Sequence, residues 1–478
     1  MSAGLQLTRN TLLSIDDLDM IEGALLRILE THGIRVIDDA LRGQLASAGF
    51  TERGDRVLLG SDTVRAFLSE ERERNGNAFT ENPESPPADE PIRLSTIQYP
   101  LQVHDLDADA IVPFTTDRLI EAVKLVDVLH DRGVASSPPG TPSDAPPALQ
   151  PVIQYWVAAT YSRQGKRPID AKAGESMPYV FEMADILGHP VRHLPVYVFS
   201  PLTLCGESLR CVLEHRGRLD AFGVSSMPSV GLTASINARH AFALSAAEVI
   251  GSAILVREIV DLPVNWHANL FPIDLGSMAM VFGSPESLLL ELMGNEVTAF
   301  LKGHPWRPGT SAFHTNAKLP GAQSCSEKAS AMSIGATLGG RHFGSGGSLS
   351  LDEIFSPEQL LYDIEIKDHV ERLLRGFDSG GDVDACVAEV AEALEQGSFA
   401  ALDSTLNEYR DVYWHPSLFE RDFVNAWKQK GGPRTRERAH QMVCDLVASH
   451  DYRLEDPLQQ GIDDVLADAK RNLNSSAI

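Results

Sequence analysis

Cysteine is scarce in this chain. Five residues (Cys205, Cys211, Cys325, Cys386 and Cys444) occur among 478, and none forms a Cys-x-x-Cys pair. That excludes a disulfide framework, and the chain reads as cytoplasmic with reduced thiols. Long apolar runs are missing too: no stretch approaches 18 consecutive apolar residues, so no membrane-spanning helix is expected. The opening MSAGLQLTRNTLLSIDDLDM lacks a basic segment followed by an apolar core, so it is not expected to act as a secretory signal. Positive charge is in deficit, with 41 Lys and Arg against 66 Asp and Glu and a net charge of −25. Such a balance argues against a nucleic-acid or anionic-membrane binder and suits a cationic ligand or a basic partner surface.

Several signatures of catalysis are also absent. The chain has no G-x-S-x-G elbow, no Walker loop and no H-E-x-x-H. GATLGGRHFGSGG is glycine-rich but is not enclosed in a strand–GxGxxG–helix unit, and reads as a loop at a strand end. His314, His342 and His369 show no spacing of a zinc helix or knuckle, so no metal site is expected.

What is present is an ordinary folded composition, 43% hydrophobic and 22% charged, in a chain long enough for three domains or for one α/β barrel with extensions. Leu18, Ile21, Leu25, Leu26 and Leu29 recur at helical spacing between Ser14, placed to cap, and Gly33, placed to stop the helix. IRVIDD reads as a strand, DALRGQLASAGF as a helix and GDRVLLGSDTVRAFLSEERER as strand then helix. With the Pro-rich, acidic connector ENPESPPADEPIRL, these make residues 1–90 an N-terminal α/β cap. From 91 to 400 short apolar runs alternate with helices, among them LPVYVFSP with CGESLRCVLEHRGRL, and AFGVSSMP with ASINARHAFALSAAEVIGSAILVREIV. Such repetition implies a parallel sheet and favours a TIM (β/α)8 barrel. Past Gly347 the pattern reads as helical, starting at SLSLDEIFSPEQLLYDIEIKDHVERLLRG, with Pro357 in a first turn. Residues 401–478 read as a C-terminal helical extension.

Chemistry-bearing residues concentrate in 305–359. Phe313, His314, Asn316, Lys318, Gln323, Glu327, Arg341, His342 and Phe343 are interleaved there with small residues. Small residues let backbone approach a ligand, and polar groups at strand ends form active-site rims.

This block resembles the trimethylamine methyltransferase (MttB) superfamily. The likeness lies in AKLPGAQSCSEK, in RHFGSGGSLSLDEIFSPEQL and in SSMPSVGLTASINARHAFALSAAEVIGSAIL. GIRVIDDALRGQLASAGF, VPFTTDRLIEAVKLVDVL and GSPESLL match in the same order, so the resemblance runs from about residue 20 to about 430. It implies a TIM barrel that moves a methyl group from an amine nitrogen to the Co(I) of a separate corrinoid protein. The cobalamin would ride on that partner, with no cofactor bound tightly to this chain, and the family likeness suggests a homo-oligomer.

The best-known members carry pyrrolysine, and its position falls at Ala322, between Gly321 and Gln323. Alanine cannot activate an amine, so the resemblance points to non-pyrrolysine members, some of which demethylate quaternary amines such as glycine betaine. A quaternary nitrogen already bears the charge that makes it a leaving group, so the protein needs only to hold the cation and aim one methyl. Aromatic faces bind such cations. Tyr99, Phe313 and Phe343 are the expected cage, with Trp266 and Trp414 as further candidates. His314, Asn316, Arg341 and His342 are expected to meet a substrate carboxylate. His342 and Glu327 are the expected catalytic residues. Two rival readings remain: a barrel lyase or hydrolase on the same scaffold, and a non-enzymatic quaternary-amine binding protein.

Overall fold

The computed structural model describes residues 2–3, 11–79, 90–135, 138–169, 174–305, 311–378 and 382–473. The connector expected around residue 85 lies mostly outside these residues.

Local signals set the first elements. Helix Ile15–Thr31 begins in a capping box, Ser14 taking the Asp17 N–H while Asp17 takes that of Ser14, and its leucines and Ile21 are buried as their spacing predicts. Gly33 follows with φ +60°, where a Cβ would sit 2.2 Å from the Val57 carbonyl oxygen, so only glycine fits this turn. Strand Ile34–Val36, helix Asp39–Ser47, strands Thr51–Arg53 and Arg56–Leu58, and helix Ser61–Arg74 complete the N-terminal part.

Strand Ile34–Val36 joins a seven-stranded sheet through a parallel pairing with Thr203–Leu204. Beyond it run three parallel strands, His193–Phe199, Ala221–Ser226 and Val264–Trp266, with Phe222 opposite both Leu194 and Val264. A second parallel arc joins His342–Phe343, Arg93–Ser95 and Val134–Ala135. The fold is α/β, and the strand ladders of the described residues do not close into a barrel.

Helix Ala238–Val260 is buried almost all round and packs on helix Ile15–Thr31 and on the three-strand arc. Its small residues make that possible: a Cβ on Gly251 would lie 2.6 Å from Leu29 Cδ2. The N-terminus is also fastened by the buried Glu296 carboxylate, which accepts the N–H groups of Leu12 and Leu13 at 2.8–3.0 Å.

One expected helix starts later than its sequence suggests. SLSLDEIF is not helical: it forms the antiparallel strands Ser348–Leu349 and Ile354–Phe355, joined through Ser350, Leu351 and Asp352. These three residues all have positive φ (+52°, +59° and +75°), and an αR helix cannot pass through them. The helix begins at Pro357, capped by Ser356, whose Oγ accepts the Gln359 N–H. Helix Pro357–Arg375 then packs on helix Ala322–Thr337 and on the C-terminal helix Thr435–Ala448.

Candidate functional site

A cleft of about 350 Å³ opens beyond the C-terminal end of strand Val264–Trp266. One wall is helix Pro285–Lys302, which brings Ser287, Glu291 and Asn295. His267 and Asn269 come from the strand end, and Phe271 and Phe282 from the loop that follows. Ser311, Ala312 and His314 form the far side, on a segment drawn to the second arc by a bond from the Gly344 N–H to the Ser311 carbonyl.

Three rings line it in sequence. Phe271 and Phe282 have centroids 5.4 Å apart, and Phe282 meets His314 edge-on at 5.1 Å. Glu291 adds a carboxylate to the lining, oriented by the Ser311 N–H at 2.7 Å and its hydroxyl at 3.0 Å. Aromatic faces and one anion around a small cleft are groups that can hold an organic cation.

Two histidines carry the polarity. His267 Nδ1 lies 2.7 Å from Asn269 Oδ1 and Nε2 lies 3.0 Å from the Asn295 side chain. Burial pushes its pKa down despite these amides, so the ring is neutral at pH 7. His314 Nδ1 lies 3.2 Å from Asp352 Oδ1 and 3.0 Å from Ser345 Oγ. Burial would raise the Asp352 carboxyl, but His314 and Ser348 outweigh it and hold it below the ordinary value. The carboxylate thus fixes the Nδ1–H tautomer of His314 and leaves Nε2 as its acceptor. Ser345 and Asp352 both sit at positive φ (+61° and +75°), so backbone strain is concentrated behind this imidazole.

The residues expected from sequence divide into three groups. His314 lines the cleft. Asn316 and Glu327 stand behind it. Asn316 Oδ1 accepts the Gly283 N–H at 3.1 Å and its amide donates to the Met280 carbonyl, fixing the loop that carries Phe282. Glu327 in turn accepts from Thr315 Oγ1 at 2.5 Å, the Asn316 N–H at 3.0 Å and Gln323 at 2.8 Å. The others lie elsewhere. Phe313 and Phe343 are completely buried against each other at 6.0 Å, with the Lys328 ammonium 4.7 Å above Phe313, so these rings fill core. Arg341 is buried and donates to the carbonyls of Ala336 and Gly340. His342 is exposed on its strand, and Tyr99 is 41% exposed in the turn after Arg93–Ser95. Trp266 packs by Phe67, and Trp414 meets His369 and Phe419. Lys318 bonds Ser350, and Ala322 opens its helix exposed to solvent.

Phe271, Phe282, Glu291 and Asp352 are brought to the site by the fold without having been singled out in the sequence. A signal existed for the two phenylalanines: they stand at the ends of FPIDLGSMAMVF, the stretch between strand Val264–Trp266 and the helix that opens at Pro285.

A family model described as trimethylamine methyltransferase (MTTB) matches residues 5–474. The chain belongs to this family. It is 24% identical over 252 residues to trimethylamine methyltransferase MttB of Methanosarcina barkeri (strain Fusaro), covering 52% of this chain and 50% of that protein. A trimethylamine methyltransferase MttB of Desulfitobacterium hafniense is 21% identical over 253 residues. The chain spans about half the length of the curated relatives it matches. Among solved structures, the monomethylamine methyltransferase MtmB of Methanosarcina barkeri aligns over 92% of this chain and 89% of its own, with 10% identity and a TM-score of 0.42.

Proposed function

We propose that this MttB-family chain is a methyltransferase that takes a methyl group from a small quaternary amine of betaine type and delivers it to a corrinoid protein. The observation that carries the reading is the cleft itself, lined by Phe271, Phe282, the His314 ring and the Glu291 carboxylate. Each aromatic face contributes about 0.5–2 kcal/mol to holding an ammonium group. A betaine's own carboxylate would find donors in Ser287 and Asn269 on the cleft wall.

The chemistry asked of the chain is positioning. The electrons of the broken C–N bond stay on nitrogen, so the amine departs neutral and needs no proton as it leaves. Alanine at position 322, where the family resemblance puts pyrrolysine in other members, fits a substrate that arrives already activated by its charge. The corrin, when its carrier docks, supplies the nucleophile that accepts the methyl group. The protein surface suits such a docking partner: Phe199 at the end of its strand, and Met227, Leu232, Ile236, Leu275 and Met278 on loops that follow strands, are all exposed. Two of those loops are held together by the parallel pairing of Ser229–Val230 with Phe271–Asp274. The two parallel arcs are read in the same proposal as parts of one TIM barrel, the segment Ser311–His314 lying between them.

The test is a thermal-shift screen against glycine betaine, proline betaine, carnitine, choline and trimethylamine, followed by methyl transfer from the best binder to reduced free cobalamin. A ligand at 100 times its Kd adds about 2.7 kcal/mol of stability. A shift with a quaternary amine that Glu291→Gln and Phe282→Ala reduce, together with methylation of the cobalamin, is the expected result. Binding without transfer to cobalamin or to a corrinoid protein would leave a binding protein. No shift with any amine would refute the cleft as the substrate site.

A further inference from the structure

A larger pocket, of about 680 Å³, lies between the hairpin Gln102–Asp105/Ala110–Pro113, helix Thr116–Val128, the N-terminus of helix Pro357–Arg375 and helix Thr435–Ala448. None of its lining residues belongs to the cleft described above. Val103, Leu125 and Val443 give it an apolar floor. Five of its lining side chains are carboxylates, and its one guanidinium, Arg118, is already paired with Asp105 at 2.6 Å.

A buried imidazole faces this acidic space. The His104 side chain is 1% exposed, and neither ring nitrogen makes a hydrogen bond among the described residues. Its Nδ1 lies 3.7 Å from Glu358 Oε2 and its Nε2 lies 3.7 Å from Asp109 Oδ1. Both gaps exceed a hydrogen bond. Asp109 Oδ1 is already taken by the Arg436 guanidinium, so the open pair is His104 Nδ1 and Glu358 Oε2, where one donor can reach both acceptors at about 2.9 Å. Glu358 itself is 3% exposed and holds His440 Nδ1 at 3.3 Å and Ser356 Oγ at 3.1 Å. Among the described residues no three His, Cys, Asp or Glu side chains are arranged to hold a metal ion. The pocket's size and apolar floor call instead for an organic cation.

We propose that this pocket is a second ligand site, binding a small protonated amine that carries at least one N–H. One N–H reaches His104 Nδ1, another reaches Glu358 Oε2, and the alkyl part lies on Val103, Leu125 and Val443. A quaternary ammonium has no N–H, so it would leave the His104 nitrogen unpaired in a buried place, and the site discriminates against it. The assignment does not rest on the methyl-transfer reading.

Isothermal titration of the full chain with n-butylammonium, and separately with tetramethylammonium, tests it. The expected result is one saturable site for n-butylammonium that Cys444→Trp removes, and at least tenfold weaker binding of tetramethylammonium at that site, read in Glu291→Gln so that the other cleft does not contribute. Glu358→Gln weakens n-butylammonium at least tenfold, and so does Cys444→Trp, which fills the pocket from an exposed position. Glu291→Gln, in the other cleft, leaves that binding unchanged. Should Glu358→Gln not fold, Cys444→Trp carries the test alone. Absence of n-butylammonium binding would overturn the proposal. So would binding that Glu291→Gln removes while Cys444→Trp retains it, or equal affinity for the two cations in Glu291→Gln.

Discussion

Lys328 and Asp363 form an ion pair at 2.6 Å with both side chains fully buried, and its removal should be felt throughout the candidate site. The lysine also donates to the Ser345 carbonyl at 3.0 Å and stands over the Phe313 ring. The aspartate also accepts the Gly347 N–H at 2.7 Å and Gln359 Nε2 at 2.8 Å. The pair therefore ties helix Ala322–Thr337, the glycine-rich loop behind His314 and helix Pro357–Arg375 into one unit. Lys328→Met keeps the apolar stem and strands a carboxylate in the core, which costs about 3–5 kcal/mol. Asp363→Leu strands the ammonium at a similar cost. The double variant removes both charges and leaves the Gly347 N–H and the Gln359 amide N–H without their acceptor, about 1–3 kcal/mol each. The double loss should thus fall clearly short of the sum of the two single losses. Urea unfolding at pH 7.5, followed by tryptophan fluorescence, measures all four proteins. A Lys328→Met variant within 1 kcal/mol of the parent, or strictly additive losses, would refute the claim that this pair holds the loop.

Other consequences follow from single contacts. His267 titrates below the ordinary histidine value because it is buried, so between that lowered pKa and about 6.5 the unfolded chain binds the extra proton. Stability should be complete above pH 6.5 and decline as pH falls below it, and chemical denaturation of His267→Gln across pH 5–8 should show a flatter profile. Asp352→Asn removes the anion behind His314 and frees the imidazole to take the other tautomer. Amine affinity should fall several-fold while the melting temperature changes little, and unchanged affinity in titration calorimetry would separate the dyad from the cleft's function. Phe282→Ala removes the ring between Phe271 and His314, and quaternary-amine Kd should rise about 3- to 30-fold in the same titration. Gly251→Ala forces a methyl group against Leu29 and Ile34, and urea denaturation should register a loss of about 1–3 kcal/mol.

How far the sequence reaches depends on whether a feature is local. Ser14, Asn237, Ser284 and Ser356 each cap the helix that follows, and these signals are complete within four residues. The parallel pairing of His193–Phe199 with Ala221–Ser226 is implied by strand–helix alternation for the same reason. SLSLDEIF defeats the local reading because its left-handed run at Ser350–Asp352 uses no glycine. That conformation is held by distant bonds, such as those from the Ser350 N–H to the Ala317 carbonyl and from the Leu351 N–H to the Thr315 carbonyl.

Aromatic residues pose the harder problem, since a ring serves equally as core or as cation receptor. Phe313 and Phe343 stand in the most polar and glycine-rich stretch of the chain, yet both lie inside, where the Lys328 ammonium takes one face of Phe313. Phe271 and Phe282 stand in the stretch after strand Val264–Trp266, and the position of Asn316 fixes where Phe282 sits. Its amide grips the backbone at Met280 and Gly283, on either side of Phe282. Asn316 is fixed by Glu327, and Glu327 by Thr315 and Gln323, so residues conspicuous in the sequence hold the loop whose ring lines the cleft. Replacing Glu327 with glutamine separates this positioning role from direct chemistry. If Glu327 acts through the loop, the variant should raise amine Kd roughly in proportion to its loss of transfer, because both depend on where Phe282 sits. A loss of turnover at unchanged Kd would instead place the Glu327 carboxylate at the reacting atoms.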